Sequence, residues 1–130
     1  MVCLDSDIII DYLRNDKKTV KKIIDLKESG IELSTTSVNA FELFKGNMKL
    51  SNESNKKAVN IFLDNVLLHN FDLESSRKAA EIFENLKSRG EIIDLADIMI
   101  ASIAIVYGES LLTGNSKHFE RIKELKIEKI

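Results

Sequence analysis

Val2-Cys3-Leu4-Asp5-Ser6-Asp7-Ile8-Ile9-Ile10-Asp11-Tyr12-Leu13 is the stretch on which the fold turns. Val2–Leu4 is an apolar run too brief for a helix and suited to a buried strand. Ser6 is a capping residue type, and 8–13 reads as a first helix. The same order recurs down the chain. An amphipathic helix is predicted over 17–29, with Val20, Ile23 and Ile24 on one face and lysines on the other, followed by a strand over 31–33. Helices follow over 37–45, capped by Ser37, and over 51–65. A strand over 66–71 leads to a helix opened by Asp72 or Glu74, which carries Ala79, Ile82, Phe83 and Leu86. A helix over 94–107, a strand at Ser110–Leu112 and a final strand within 126–130 complete the order. Gly30, Gly90 and Gly108 each fall just behind a predicted helix, where a left-handed C-terminal cap belongs.

Parallel neighbours cannot be joined by tight hairpins, so strands separated by helices imply right-handed crossovers and a sheet covered on both faces. The expectation is a single α/β domain over residues 1–130, three layers thick, with a mostly parallel sheet of four to five strands. Composition agrees: 130 residues with 44% apolar and 31% charged side chains exclude a disordered tail, a collagen-like repeat and a membrane span. Nineteen Lys and Arg against twenty-one Asp and Glu leave a net charge of −2, so the chain as a whole exerts no pull on phosphate backbones. Any contact with nucleic acid must be local. The single cysteine, Cys3, excludes a disulfide framework and a cysteine-rich zinc site. The start is acidic and its apolar run short, unlike a signal peptide, so a cytoplasmic protein away from membranes is expected.

In open α/β sheets, ligands collect outside the carboxyl ends of the strands. Asp5 ends the first strand, and Asp7 follows at a helix start, where the helix dipole favours an anion. Capping is the plain alternative for this pair. Glu42 lies among apolar neighbours in Ala40-Phe41-Glu42-Leu43-Phe44 on the helix after the second strand; its plain alternative is a wet helix face. Asp97 is the strongest case. It sits in a run over 92–106 that is apolar nearly all round past its first turn, which marks a buried helix. An ionised carboxylate there needs a cation, a cluster of donors or a cleft. Asp94, three residues earlier, shares its face and is assigned the cap. If Asp5, Glu42 and Asp97 converge they repel, unless a divalent cation offsets the charge, and hard oxygen ligands select Mg²⁺ or Mn²⁺.

The chain closes this constellation with Leu111-Leu112-Thr113-Gly114-Asn115-Ser116-Lys117-His118-Phe119-Glu120-Arg121, a strand end, a turn and a short basic helix. Thr113 and Asn115 suit the orienting of carboxylates, and Lys117, His118 and Arg121 suit contact with phosphate. Ordinary turn residues and a solvated face are the alternative. With no Trp and few aromatics, base stacking on an exposed platform is limited.

The ordered set resembles the PIN-domain ribonucleases and, within them, the VapC toxins of prokaryotic toxin–antitoxin pairs. The resemblance is carried by Leu4-Asp5-Ser6-Asp7; by Ser34-Thr35-Thr36-Ser37 leading to Phe41-Glu42-Leu43 and Gly46; by Arg89-Gly90-Glu91-Ile92 before Asp97-Ile98-Met99-Ile100-Ala101; and by Thr113-Gly114-Asn115 with Lys117-His118-Phe119. It implies that Asp5, Glu42 and Asp97 form the catalytic acidic triad, with Asp5 and Asp97 as direct Mg²⁺ ligands and Asp7, Asp94, Thr113 and Asn115 lining the pocket. The implied reaction is metal-assisted hydrolysis of an RNA phosphodiester, leaving a 5′-phosphate and a 3′-hydroxyl. Lys45, Lys49, Lys117 and Arg121 are the candidates for steering RNA. A small antitoxin lying across the active-site groove and a homodimer are implied in the same way, with Ile9, Tyr12, Leu13, Phe41 and Phe44 divided between a groove and the core. Many relatives place a further acid in the closing motif, where Asn115 and His118 stand here.

Two other readings start from Asp5-Ser6-Asp7. A HAD-type phosphatase would use Asp5 as nucleophile, but Ile9 stands where that loop wants Thr or Val. A receiver-type signalling domain would use Asp72 as phosphoacceptor and needs a lysine ending the fifth strand, which is not evident.

Overall fold

The computed structural model describes residues 1–47 and 53–130. Its elements run β1 (Val2–Leu4), α1 (Ser6–Leu13), α2 (Lys17–Glu28), β2 (Leu33–Thr36), α3 (Ser37–Glu42), α4 (Glu53–Asp64), β3 (Leu67–His69), α5 (Leu73–Ser88), α6 (Leu95–Val106), β4 (Ser110–Leu112), α7 (Ser116–Phe119) and β5 (Ile127–Glu128). The five strands form one parallel sheet in the order β3-β2-β1-β4-β5. The expected α/β architecture is therefore present, with β1 at its centre.

Side chains alternate across a strand, and this alternation divides the core. Val2 and Leu4 of β1, with Leu112 of β4, pack against Ile8, Ile9, Ile23, Leu26 and Val59. Cys3 and Leu111 point the other way, onto Ala79, Ile82, Leu86, Ile98, Ala101 and Phe119. One apolar cluster on each face gives the three layers. Burial pushes the Cys3 thiol up to about 12, so it stays protonated and inert.

Several boundaries differ from expectation for local reasons. β2 occupies Leu33–Thr36, not 31–33, because Ser34, Thr35 and Thr36 are fully buried despite their hydroxyls. Thr35 Oγ1, for example, donates to the Leu4 carbonyl at 2.8 Å. α1 begins at Ser6, two residues early, and Asp5, not Ser6, is its cap. Thr36, not Ser37, caps α3 through a bond from the Asn39 N–H. α3 ends at Glu42 and passes into a wider turn over Leu43–Asn47, which bends at Gly46 with φ 103°, a conformation that strains any side chain. β3 and β5 are shorter than 66–71 and 126–130, and the start of the helix expected over 51–65 lies outside the described residues.

Glu109, in the turn before β4, is an acid that the sequence reading passed over. It is 4% exposed. One carboxylate oxygen accepts from the Ser34 hydroxyl, and the other meets His69 Nε2. The His69 ring stacks on Tyr107 at 4.1 Å between centroids, and the Tyr107 hydroxyl donates to Asp72 Oδ2 at 2.8 Å. This polar chain ties β2, β3 and β4 to the far end of α6. Among the described residues, no helix is long and apolar enough to cross a membrane.

Candidate active site

Asp5 stands at the carboxyl end of β1, 5% exposed, and each of its oxygens is held. Oδ1 accepts from the Ser6 N–H at 2.8 Å and from Asn39 Nδ2 at 3.0 Å. Oδ2 accepts from the Thr113 hydroxyl at 2.7 Å. The Thr113 hydroxyl in turn accepts from the Asn115 N–H at 3.0 Å. Because β1 and β4 are parallel neighbours, the turn after β4 arrives beside the residues after β1. Burial drives the Asp5 carboxyl above its ordinary range, while the bonds from Thr113, Ser6 and Asn39 pull the other way.

Asp7 faces the same turn. Its Oδ2 accepts from the Gly114 N–H at 2.9 Å, while its Oδ1 is buried without a hydrogen-bond partner. Burial first, then the charge of Asp5, pushes its carboxyl up to about 6. A Cβ on Gly114 would lie 2.6 Å from Asp7 Oδ2, so only glycine lets the N–H approach this closely. The atom in the way is the tip of a side chain, so the penalty of Gly114→Ala falls on the pocket and not on the fold. We expect an unchanged melting temperature within error, together with a roughly tenfold weaker divalent-cation response. Calorimetry with and without Mg²⁺ checks this.

Glu42, at the end of α3, is half-buried, and its Oε1 accepts from the Ser6 hydroxyl at 2.7 Å. Asp97, in the first turn of α6, is half-buried beside the otherwise apolar helix. Burial, followed by the charges of Asp5, Asp94 and Glu42, pushes its carboxyl up to about 6, and His118 opposes that shift. His118 Nδ1 stands 3.8 Å from Asp97 Oδ2. Asp94 occupies the cap position of α6 but makes no side-chain capping bond, contrary to the role assigned to it; its charge is felt by Asp97 instead. Carboxylates carried by β1, α1, α3 and α6 thus share one electrostatic neighbourhood.

The remaining candidates are less uniform. Lys45 is exposed, with its ammonium 5.6 Å from the centroid of the Phe41 ring. Lys117 is exposed on α7, and Asn115 enters the network through its backbone N–H. Arg121 Nη1 donates to the Ile92 carbonyl at 2.9 Å and so fastens the loop before α6. Lys49 lies outside the described residues. Ile9 is core, with Tyr12 and Leu13 packed against it, whereas Phe41 and Phe44 are 62% and 54% exposed. Asp72, the phosphoacceptor of the receiver reading, is engaged as the α5 cap, with Oδ1 accepting from the Ser75 N–H. Asn39 was missed altogether. The available signal was its place three residues before Glu42, one helical turn away on the same face.

Fold and pocket together define an open parallel α/β protein that gathers acidic side chains at the carboxyl ends of its central strands. The PIN domain family model matches residues 2–125, and the chain belongs to the PIN-domain family. It is 32% identical over 123 residues to ribonuclease VapC1 of Methanocaldococcus jannaschii, covering 95% of this chain and 82% of that protein. It is 37% identical over 100 residues to ribonuclease VapC3 of the same organism, covering 77% and 94%. Among solved structures, VapBC2 from Rickettsia felis bound to a DNA fragment from its promoter aligns over 100% of this chain and 99% of that one, with a TM-score of 0.90 and 26% identity.

Proposed function

We propose that this chain is a divalent-cation-dependent endoribonuclease and the toxin of a toxin–antitoxin pair, with Asp5, Glu42 and Asp97 as its catalytic carboxylates. The observation that carries this reading is that acids from separate elements share one electrostatic neighbourhood around Asp97, which His118 Nδ1 approaches to 3.8 Å. The names of the relatives and the VapBC neighbours support it.

The donor set fits a hard cation. It is mostly oxygen, it includes the unpartnered Asp7 Oδ1, and burial drives the carboxyl groups of Asp5, Asp7 and Asp97 upward, with neighbouring negative charge adding to the shift of Asp7 and Asp97, which a cation opposes. Among the described residues, no three His, Cys, Asp or Glu side chains stand close enough to enclose an ion by themselves. Mg²⁺ does not ask for that: it keeps several waters and binds through one or two carboxylates. Asp5 and Asp97 are assigned that role, with Mn²⁺ as a substitute, and Asp7, Asp94, Thr113 and Asn115 support the pocket. When bound, the cation supplies offsetting charge for the phosphodiester and acidifies water.

The protein's own residues supply the rest. Thr113 and Asn39 fix the Asp5 carboxylate, so little reorganisation is needed when substrate arrives. Glu42 is anchored through Oε1, and its other oxygen takes the proton of the attacking water as the water oxygen bonds to phosphorus; the bond from phosphorus to the 3′ oxygen breaks, and that oxygen takes a proton from solvent to leave as the 3′-hydroxyl. Lys45, Lys49, Lys117 and Arg121 meet the flanking phosphates, and the local basic contacts answer the net charge of −2. The exposed Phe41 and Phe44 face is assigned to the antitoxin, and the active form to a homodimer. Neither rival reading is supported: the PIN-domain match and the ribonuclease relatives point elsewhere, and Asp72 caps a helix.

Incubation of the isolated chain with structured RNA and Mg²⁺ tests the reading. Asp5→Ala should lose at least about 100-fold in cleavage rate, as should chelation of the cation. Undiminished cleavage by both Asp5→Ala and Asp97→Ala would reject the assignment.

A further inference from the structure

Asn39 is fully buried on α3, in the middle of the polar network and not at its edge. Its side chain makes three contacts. Nδ2 donates to Asp5 Oδ1 at 3.0 Å and to Ser6 Oγ at 2.9 Å, and Oδ1 accepts from the Thr36 hydroxyl at 2.7 Å. The Ser6 hydroxyl passes the chain on to Glu42 Oε1 at 2.7 Å. One amide group therefore touches one acid of the triad directly and a second through a single hydroxyl.

The orientation of that amide is determined by its neighbours. The Asn39 N–H donates to Thr36 Oγ1 at 3.0 Å, which leaves the hydroxyl hydrogen free to point at Asn39 Oδ1. A flipped amide would place Oδ1 against the Asp5 carboxylate and leave Nδ2 facing the Thr36 hydroxyl, losing both bonds to the acidic side. With Oδ1 held by Thr36, both hydrogens of Nδ2 are directed at the site. A buried amide with every group satisfied is rigid, and rigidity is what a carboxylate pair needs if it is to hold its separation under mutual repulsion.

We propose that Asn39 is a positioning residue that sets the spacing of the Asp5 and Glu42 carboxylates, through its direct bond to one and through Ser6 to the other. The proposal rests on the nuclease reading and deepens it. Partners of this kind, one step behind the ligating groups, affect cation affinity or turnover by about 10- to 100-fold.

The experiment compares Asn39→Ala, Asn39→Leu, Asn39→Asp, Asn39→Thr and Ser6→Ala with the parent chain by Mg²⁺ titration, melting temperature, and kcat and KM on a structured RNA. Asn39→Asp is nearly isosteric but removes the donors and adds a carboxylate beside Asp5, so its loss includes repulsion; Asn39→Leu, close in volume and without donors or charge, separates the roles. A role in filling space makes Asn39→Leu harmless and Asn39→Ala harmful. A donor role makes Asn39→Leu at least as damaging as Asn39→Ala, with cation affinity and kcat reduced about 10- to 100-fold and KM for RNA unchanged. Asn39→Thr, with a single hydroxyl donor, should restore part of the loss. Ser6→Ala should lower kcat while sparing cation affinity, because it breaks only the arm to Glu42. It also carries the test if Asn39→Ala does not fold. The proposal is overturned if Asn39→Leu or Asn39→Asp matches the parent in cation affinity and kcat, or if Ser6→Ala leaves kcat unchanged. An inactive parent chain would instead sink the nuclease reading.

Discussion

Asp97→Asn is expected to raise the melting temperature of the cation-free protein at pH 7.5 while lowering RNA cleavage at least about 100-fold. The Asp97 carboxyl is pushed up to about 6 by burial and by Asp5, Asp94 and Glu42, whereas in an unfolded chain it titrates near about 4. Between those values the folded protein holds more protons than the unfolded one. Stability therefore falls as pH rises through that window, and the full penalty applies above it. Asp7, also pushed up to about 6, acts in the same direction. The cation-free parent should thus melt lower at pH 7.5 than at pH 5, and Asp97→Asn should flatten that slope by removing its share. Mg²⁺ should stabilise the parent more at pH 7.5 than at pH 5, because protons compete for the same oxygens, and should stabilise the variant much less. Scanning calorimetry at the two pH values, with and without Mg²⁺, reads all of these. A variant that melts lower than the parent at pH 7.5, with the parent's Mg²⁺ response, would make Asp97 a structural partner of His118.

The order of elements was legible because strand and helix differ in length and period, and because Asp72 is a capping residue type at the right place; the caps of α1 and α3, Asp5 and Thr36, lie one residue before the expected Ser6 and Ser37. β2 was misplaced for a physical reason. Ser34, Thr35 and Thr36 are as buried as the apolar residues around them, but their hydroxyls are satisfied, by Glu109 and Leu4 distant in the chain and by Asn39 one helical turn on, and hydropathy does not register a satisfied hydroxyl. The acids were legible as exceptions, above all Asp97 on its apolar helix, because an unpaired buried charge is costly wherever it occurs. Asn39 leaves no such mark. An amide is neutral, its presence in a helix breaks no rule, and its value lies in the direction of two hydrogens that only the packed structure fixes. Asp5 shows a different limit: the same carboxylate that caps α1 also accepts from Thr113 beyond β4, so capping α1 does not keep it out of the pocket.

Glu109 supplies the second large effect, on stability in place of chemistry. Its carboxylate is the common acceptor for Ser34 and His69, and it is 4% exposed. Glu109→Ala leaves the Ser34 hydroxyl, itself fully buried, without its acceptor, opens a cavity, and frees the His69 ring from the contact that holds it against Tyr107. Together these should destabilise the protein by about 2–4 kcal/mol, read as a lower denaturation midpoint with an unchanged slope. Glu109→Gln keeps the shape and one strong acceptor, so its cost should be nearer about 1 kcal/mol. The pair separates two explanations. If the carboxylate acts as a shared acceptor, the variants rank in that order. If it matters chiefly as a charge, Gln and Ala fall together. The turn that carries Glu109 enters β4 at its amino end, whereas the acidic pocket opens at the carboxyl ends of β1 and β4. Glu109→Gln should therefore cleave RNA at the parent's rate at temperatures where it is folded. A fall in kcat for that variant, with its fold intact, would show that the two polar networks are coupled across β1 and would make the sheet part of the catalytic apparatus.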